Sequence, residues 1–182
     1  MLDLFSGVPS VLDCGAEGTF NIKTDWKTWA SWGECLGRNV EIGAWIYSIF
    51  EDEVPKSYDW IPAAIEYYIS SEITPKSTST SKDELFRITA DGSYLYAAFR
   101  QAYSINLLDA DTLTWREFKA LLVSLPDDTK MAQIMAHRAY KKQTKNDIDA
   151  QYQKAKQAWA LPSVVDGIDI IEIQNKYFGN VK

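Results

Sequence analysis

Histidine is nearly absent from this chain: 182 residues hold one, His137, together with only two cysteines, Cys14 and Cys35. One imidazole cannot build a multi-histidine metal site, and His137 has no acidic residue three or four positions away in MAQIMAHRAY to orient it. It reads as an ordinary helix residue. The cysteines fit no zinc-ligand spacing and read as free thiols of a reducing compartment. Long apolar runs are missing as well. No stretch approaches the roughly 20 residues of a membrane span, and the opening MLDLFSGVPS has neither a basic nor an apolar signal region. The cytoplasm of the cell that makes the chain is therefore the expected location. Basic residues are in the minority, 19 against 25 acidic, for a formal net charge of −6. Such a chain lacks the electrostatic footprint of a nucleic-acid binder and has no general attraction to anionic membranes. Gly15-Ala16-Glu17-Gly18 lacks the lysine and spacing of a phosphate loop, and no nucleophile elbow, HExxH or EF-hand pattern occurs. The expectation is a protein that is not an enzyme and carries no cofactor or metal.

What is present is apolar and aromatic. Hydrophobic residues make up 46% and aromatics 13%, enough for a buried core. Residues 1–23 read as a β element, with extended runs at Val11-Leu12 and Thr19–Ile22 around a glycine-bearing turn. A helical domain follows over 24–162. Thr24 or Asp25 caps a first helix carrying Trp26, Trp29, Ala30 and Leu36 on one face, with Trp32 at its margin and Gly37 at its end. Asn39 starts a second, with Ile42, Trp45, Ile46, Ile49 and Phe50. Asp59 starts a third, with Pro62 in its first turn and Ala64, Ile65, Tyr68 and Ile69 as its stripe. Pro75 ends it, and residues 76–82 read as a mobile Ser/Thr loop. Asp91 caps a helix bearing Leu95, Ala98, Phe99 and Ala102. Thr114–Glu117 matches a capping box before Phe118, Leu121 and Leu122. Pro126-Asp127-Asp128 opens the next helix, and Asn146 or Asp147 the last, which carries Ile148, Tyr152, Ala155 and Trp159 and stops at Pro162. The tail 163–182 alternates Ile168, Ile170, Ile171 and Ile173 with acids, a pattern that suggests a strand. The fold class is thus mainly α: a compact domain of about six or seven helices, a small N-terminal β-hairpin and a candidate C-terminal strand.

Four features compete for a functional role. Glu51-Asp52-Glu53 and Asp109-Ala110-Asp111 offer oxygen ligands, but lack the further loop ligands of a calcium site and read as solvated charge. Arg138, Lys141, Lys142 and Lys145 form a basic stretch near a helix end, which favours charge–dipole stabilisation over phosphate contact. Trp26, Trp29 and Trp32 form either a core stripe or an aromatic groove for a partner helix. Ile168, Ile170, Ile171, Ile173, Tyr177 and Phe178 form either an internal strand or one that is added to a partner or a second copy.

The run Ala97–Leu108, then Leu113–Leu122 and Leu125–Thr129, with Ile134 and Arg138 beyond, resembles the bacteriophage gene-product-fifteen family of long-tailed phages and prophages of Gram-positive bacteria. Phe20–Trp26 and Ala63–Tyr68 resemble its earlier segments, so the likeness spans most of residues 11–140. Ser104 stands where the family commonly has glycine, Trp26 where it has phenylalanine, and Thr74-Pro75 where it often has Cys-Gly. The resemblance implies a gene between those for the tail tube and the tape-measure protein. It further implies a tail assembly chaperone in the host cytoplasm that binds the tape-measure protein before tube polymerisation, with the tail-tube protein and weak self-association as further contacts, and with no nucleic acid or membrane as partner. The alternatives are a structural or tail-completion component of the virion and a helix-turn-helix DNA-binding regulator formed by the helices from Thr114 to Lys142.

Overall fold

A computed structural model describes residues 7–37, 43–69, 84–141 and 147–162, with the side chains of Asp147 and Ile148 left aside. The Ser/Thr loop at 76–82, the Pro75 stop, the Asn39 cap and the tail 163–182 with its candidate strand lie outside the described residues. The chain is mainly helical. Among the described residues there are a two-stranded antiparallel hairpin, six α-helices and two 3-10 helices. By internal contact it divides into two compact units.

The first unit takes in the described residues of Met1–Ile73 and Asp111–Ala120. It opens with β1 (Val11–Asp13) paired to β2 (Thr19–Asn21), with Val11 opposite Asn21 and Asp13 opposite Thr19. The connecting turn needs Gly15 and Gly18, both at positive φ, and holds a 3-10 turn, Gly15–Glu17. A lone hairpin is marginal in water. This one buries Leu12, Cys14 and Ile22 and extends its pairing through an Ile22–Phe50 bridge. Helix α1 (Trp26–Gly37) starts where the Asp25 carboxylate accepts the Thr28 N–H at 2.9 Å, as the sequence predicts. The second predicted helix is instead a 3-10 helix, Ala44–Ile49, which still buries Ile46 and Ile49. Helix α2 (Ile61–Ile69) buries Ile61, Ala64, Ile65 and Tyr67. Its buried face is rotated from the predicted stripe, because Tyr67 takes the inward place and Ile69 is exposed.

The segments leading into α1 and α4 bind each other through an isolated Asp25–Thr114 bridge. Trp26 N–H donates to Leu113 C=O at 2.9 Å, and Trp115 N–H donates to Thr24 C=O at 2.7 Å. Helix α4 (Trp115–Val123) then begins with the expected capping box. Glu117 N–H donates to Thr114 Oγ1 at 3.3 Å, and Thr114 N–H donates to the Glu117 carboxylate at 2.8 Å. Thr114→Ala removes the capping hydroxyl and its bond to the Glu117 carboxylate, and keeps the backbone N–H that donates to Glu117. It should lower stability by about 1 kcal/mol, read as a shift in the urea midpoint with unchanged slope.

The second unit takes in the described residues of Thr74–Ala110 and Leu121–Ser163. Helix α3 (Ile88–Tyr103) buries Leu95, Ala98 and Phe99. Asp91 is not its cap. The helix starts three residues earlier, and the buried Asp91 carboxylate reaches back to the Arg87 N–H at 2.9 Å. At the C-terminal end Ser104 is left-handed, with φ 58°, and its N–H returns to Arg100 C=O at 3.2 Å. This conformation favours glycine, the residue common there in the resembling family. Ser104→Gly should therefore raise the unfolding free energy by about 0.5–1 kcal/mol, relief of left-handed strain outweighing the added freedom of the unfolded chain.

Helix α5 (Lys130–Ala139) starts later than Pro126-Asp127-Asp128 predicts. Those residues form a turn closed by Thr129 N–H to Pro126 C=O at 3.0 Å, and Thr129 caps the helix by accepting the Ala132 N–H at 3.3 Å. Helix α5 packs against α3 and against α6 (Asp147–Ala158). No helix among the described residues is long and apolar enough to cross a membrane.

Candidate partner-binding surface

The three tryptophans of the proposed groove are core residues in the first unit. They lie at three-residue spacing on α1, and all three are buried. Trp26 stacks on Phe118 with centroids 4.9 Å apart, Trp29 stacks on Tyr67 at 4.3 Å, and Trp32 tilts against Tyr68 at 6.0 Å. Their polar edges are also used: Trp29 Nε1 donates to Lys23 C=O at 2.6 Å and Trp32 Nε1 to Ile46 C=O at 3.1 Å. Of the two readings of this face, core stripe or groove, the packing is that of a core stripe: Phe118, Tyr67 and Tyr68 of the same chain lie against the three rings. At about 150–250 Å² per buried aromatic, each ring contributes roughly 4–6 kcal/mol of apolar transfer, an upper bound for an extended unfolded chain. The other six predicted contact residues, Ile168, Ile170, Ile171, Ile173, Tyr177 and Phe178, lie outside the described residues.

The aromatic series continues outward from α1. Tyr68 stacks on Trp115 at 5.0 Å, and Trp115 on Phe118 at 5.6 Å. Lys119 and Trp115 both donate to Tyr68 C=O, at 2.8 and 3.1 Å, which satisfies a carbonyl at the C-terminal end of α2. Arg116 lies over the Tyr67 ring at 4.9 Å. Burial pushes the Tyr67 hydroxyl up, partly opposed by the Arg116 charge. The ring system is a packed scaffold.

Candidate chemistry is placed as follows. Cys14 and Cys35 are free, and burial raises the Cys14 thiol, which disfavours the reactive thiolate. Asp111 pairs with Lys27 at 2.6 Å at the surface, where such a bridge adds little. No group of three or more His, Cys, Asp or Glu among the described residues is arranged to hold a metal ion. His137 is half-buried in α5, its ring 6.2 Å from that of Tyr152. Arg138, the residue of the basic stretch best suited to gripping phosphate, faces inward instead. It makes two bonds to the buried Asp91 carboxylate, at 2.6 and 2.9 Å.

Glu17 does a structural job that the sequence did not show. Its carboxylate accepts the Lys56 and Ser57 N–H groups at 2.8 and 2.7 Å, tying the hairpin turn to the segment before α2. The Ser57 hydroxyl, then these two amides, hold its carboxyl below the ordinary value of 4.5. With the folded value depressed, the contribution is present above pH 4.5 and is lost as pH falls through the folded value. The stability gap between the native chain and Glu17→Gln should therefore be constant near neutrality and close in acid, as read from urea midpoints across pH. Beside this tie Tyr47 lies 6.2 Å from Tyr58, and burial, followed by a hydrogen bond to Tyr58, pushes Tyr47 up to about 12.

Large apolar side chains remain at the surface of each unit. Val54 and Tyr58 are exposed in the first, and Leu108, Val123 and Tyr152 in the second.

Against known proteins, the match is to a bacteriophage family. A family model described as Bacteriophage Gp15 protein covers residues 34–161, more than two-thirds of the chain. The chain belongs to that family. No curated protein and no solved structure matches it. Within the runs that carry the resemblance, Phe99, Trp115, Phe118, Leu122, Leu125, Ile134 and Arg138 are buried. Those positions of the motif serve the core.

Proposed function

We propose that this protein is a phage tail assembly chaperone, a binding protein without catalytic chemistry, that acts in the host cytoplasm on the tape-measure protein before the tube polymerises. The observation that carries this reading is the family match over residues 34–161. The resemblance places such genes between the tail-tube and tape-measure genes. The physical part of the reading is groove or surface binding: apolar stripes of long tape-measure helices are covered by apolar side chains that this chain keeps outside its own core. Val54, Tyr58 and Val123 are exposed residues of that kind, and the Ile168–Ile173 run adds more apolar length. A net charge of −6 keeps the complex soluble while those faces are engaged.

The test is co-expression with the neighbouring tape-measure protein. The chaperone reading expects a soluble tape-measure protein that co-purifies with several copies of this chain. A precipitated tape-measure protein, with this chain eluting alone, overturns it. Mass spectrometry of purified particles adds an independent criterion, because a chaperone is absent from them and a tail-completion component is retained.

A further inference from the structure

We propose that α6 and the residues after it, as far as Pro162, form a strap that opens as a separate unit while the α3–α5 pair stays folded. The first observation is how little of α6 is buried. From Asp149 to Ala158 its side chains are those of alanine, glutamine, lysine, one tyrosine and one aspartate, and of these only Asp149 is buried. Tyr152, the one ring of that stretch, is 45% exposed. A helix of 12 residues is marginal by itself in water and owes its persistence to the apolar face it packs. The described side chains of α6 offer little such face.

The second observation is what holds the strap down. Arg138 Nε donates to Trp159 C=O at 2.7 Å, and Arg87 Nη1 donates to Pro162 C=O at 2.9 Å in an exposed bond. The Trp159 ring meets that of Tyr94 edge-on, with centroids 5.7 Å apart, and Lys130 Nζ lies 4.4 Å from the Trp159 ring centroid. Nearer the middle of α6, Tyr152 stacks on Tyr140 at 4.8 Å, and Lys156 Nζ donates to Tyr140 C=O at 3.1 Å. These anchors are hydrogen bonds and ring contacts, each modest in net effect.

The platform under the strap is tied together by other means. Helices α3 and α5 pack on each other and bury Leu95, Ala98, Phe99, Met131 and Ile134. Arg138 joins them through two bonds to the Asp91 carboxylate, and reaches Leu85 C=O at 2.9 Å. A polar element attached by modest contacts to a well-packed pair is the kind that opens locally, at a free energy below that of global unfolding.

Opening changes what the second unit displays. Tyr94 and Lys130 lose the Trp159 ring, and Tyr140 loses the Tyr152 ring. Arg87 and Arg138 each give up a carbonyl acceptor. The strap therefore acts as a cover: an aromatic and cationic surface on α3 and α5 is masked while it is closed and shown while it is open. Arg138 serves both states, since its bonds to Asp91 do not involve α6.

Amide hydrogen exchange of the purified full chain, read by mass spectrometry across urea concentrations below the unfolding transition, tests this separately from the chaperone reading. In the native chain, residues 150–160 should exchange through an opening at least about tenfold more populated than that of α3 and α5. The urea dependence should be shallower, because lifting the strap exposes less surface than global unfolding. The variant Arg87→Gln/Lys130→Gln removes the Pro162 bond and the cation over Trp159. It should raise the α6 opening by a further factor of at least about ten, while α3 and α5 exchange as in the native chain. Exchange of residues 150–160 in step with α3 and α5 at every urea concentration overturns the proposal. So does a double variant that leaves α6 exchange unaltered, or one that accelerates α3 and α5 equally.

Discussion

Replacing Gly33 by alanine is expected to destabilise the protein by about 1–3 kcal/mol, although the position is inside a helix, where alanine is normally the better residue. Two effects of opposite sign meet here. Helix propensity favours alanine over glycine by up to about 1 kcal/mol. Against that, a β-carbon on Gly33 would fall within the Tyr68 ring, well inside the 3.0 Å that real Cβ contacts respect. Inserting a methyl into packed aromatic density costs about 1–3 kcal/mol when neighbours must shift. The size of the cost depends on whether Tyr68 can yield. It stacks on Trp115 at 5.0 Å and tilts against Trp32 at 6.0 Å, and its own carbonyl is held by Lys119 and Trp115. The ring is restrained on several sides, so the steric effect wins. The check is a double-mutant cycle. In a Tyr68→Leu background the same Gly33→Ala change should be neutral or stabilising, giving a coupling above about 1 kcal/mol. An equal loss in both backgrounds would remove Tyr68 as the cause.

The same ring system shows what could be read from the chain and what could not. The Asp25 cap and the Thr114–Glu117 box are local patterns, complete within four residues, and they form as expected. Helical spacing also placed Trp26, Trp29 and Trp32 on one broad face. Spacing does not say what lies opposite that face. Phe118 and Tyr68 are contributed by distant parts of the chain, so the choice between core and open groove was invisible in the sequence. Asp91 was misassigned for a related reason. Its acidity and position resemble a cap, but its carboxylate is claimed by Arg138, 47 residues away. Pro126-Asp127-Asp128 lost its place as a helix start to Thr129, whose hydroxyl meets an amide of the next turn. Glu17 gave no sequence signal, because its partners are backbone amides 39 and 40 residues later.

Removing one member of the Asp91–Arg138 pair should have the largest effect of any single polar substitution. Both groups are buried, with side-chain exposures of 3% and 8%. Taking away one charge leaves the other without its counter-ion in a poorly solvated site, which typically costs about 3–5 kcal/mol. That is a large share of the roughly 5–15 kcal/mol that holds a domain together. Arg138 does more than neutralise Asp91. Its Nε donates to Trp159 C=O at 2.7 Å and its Nη1 to Leu85 C=O at 2.9 Å, so one guanidinium joins α3, the segment before α3 and the end of α6. Arg138→Met fills much of the space but supplies none of these bonds. Arg138→Lys keeps the charge but cannot reproduce the fork, so most of the loss should remain. Asp91→Asn keeps the Arg87 contact and loses the counter-charge. The location of the damage separates this clamp from general weakening. Amide hydrogen exchange in Arg138→Met should accelerate first in α6, whose last turn loses its tie at Trp159, while α1 and α2 in the other unit keep their protection. Uniform acceleration across both units would show that the pair supports global stability without holding α6 in particular.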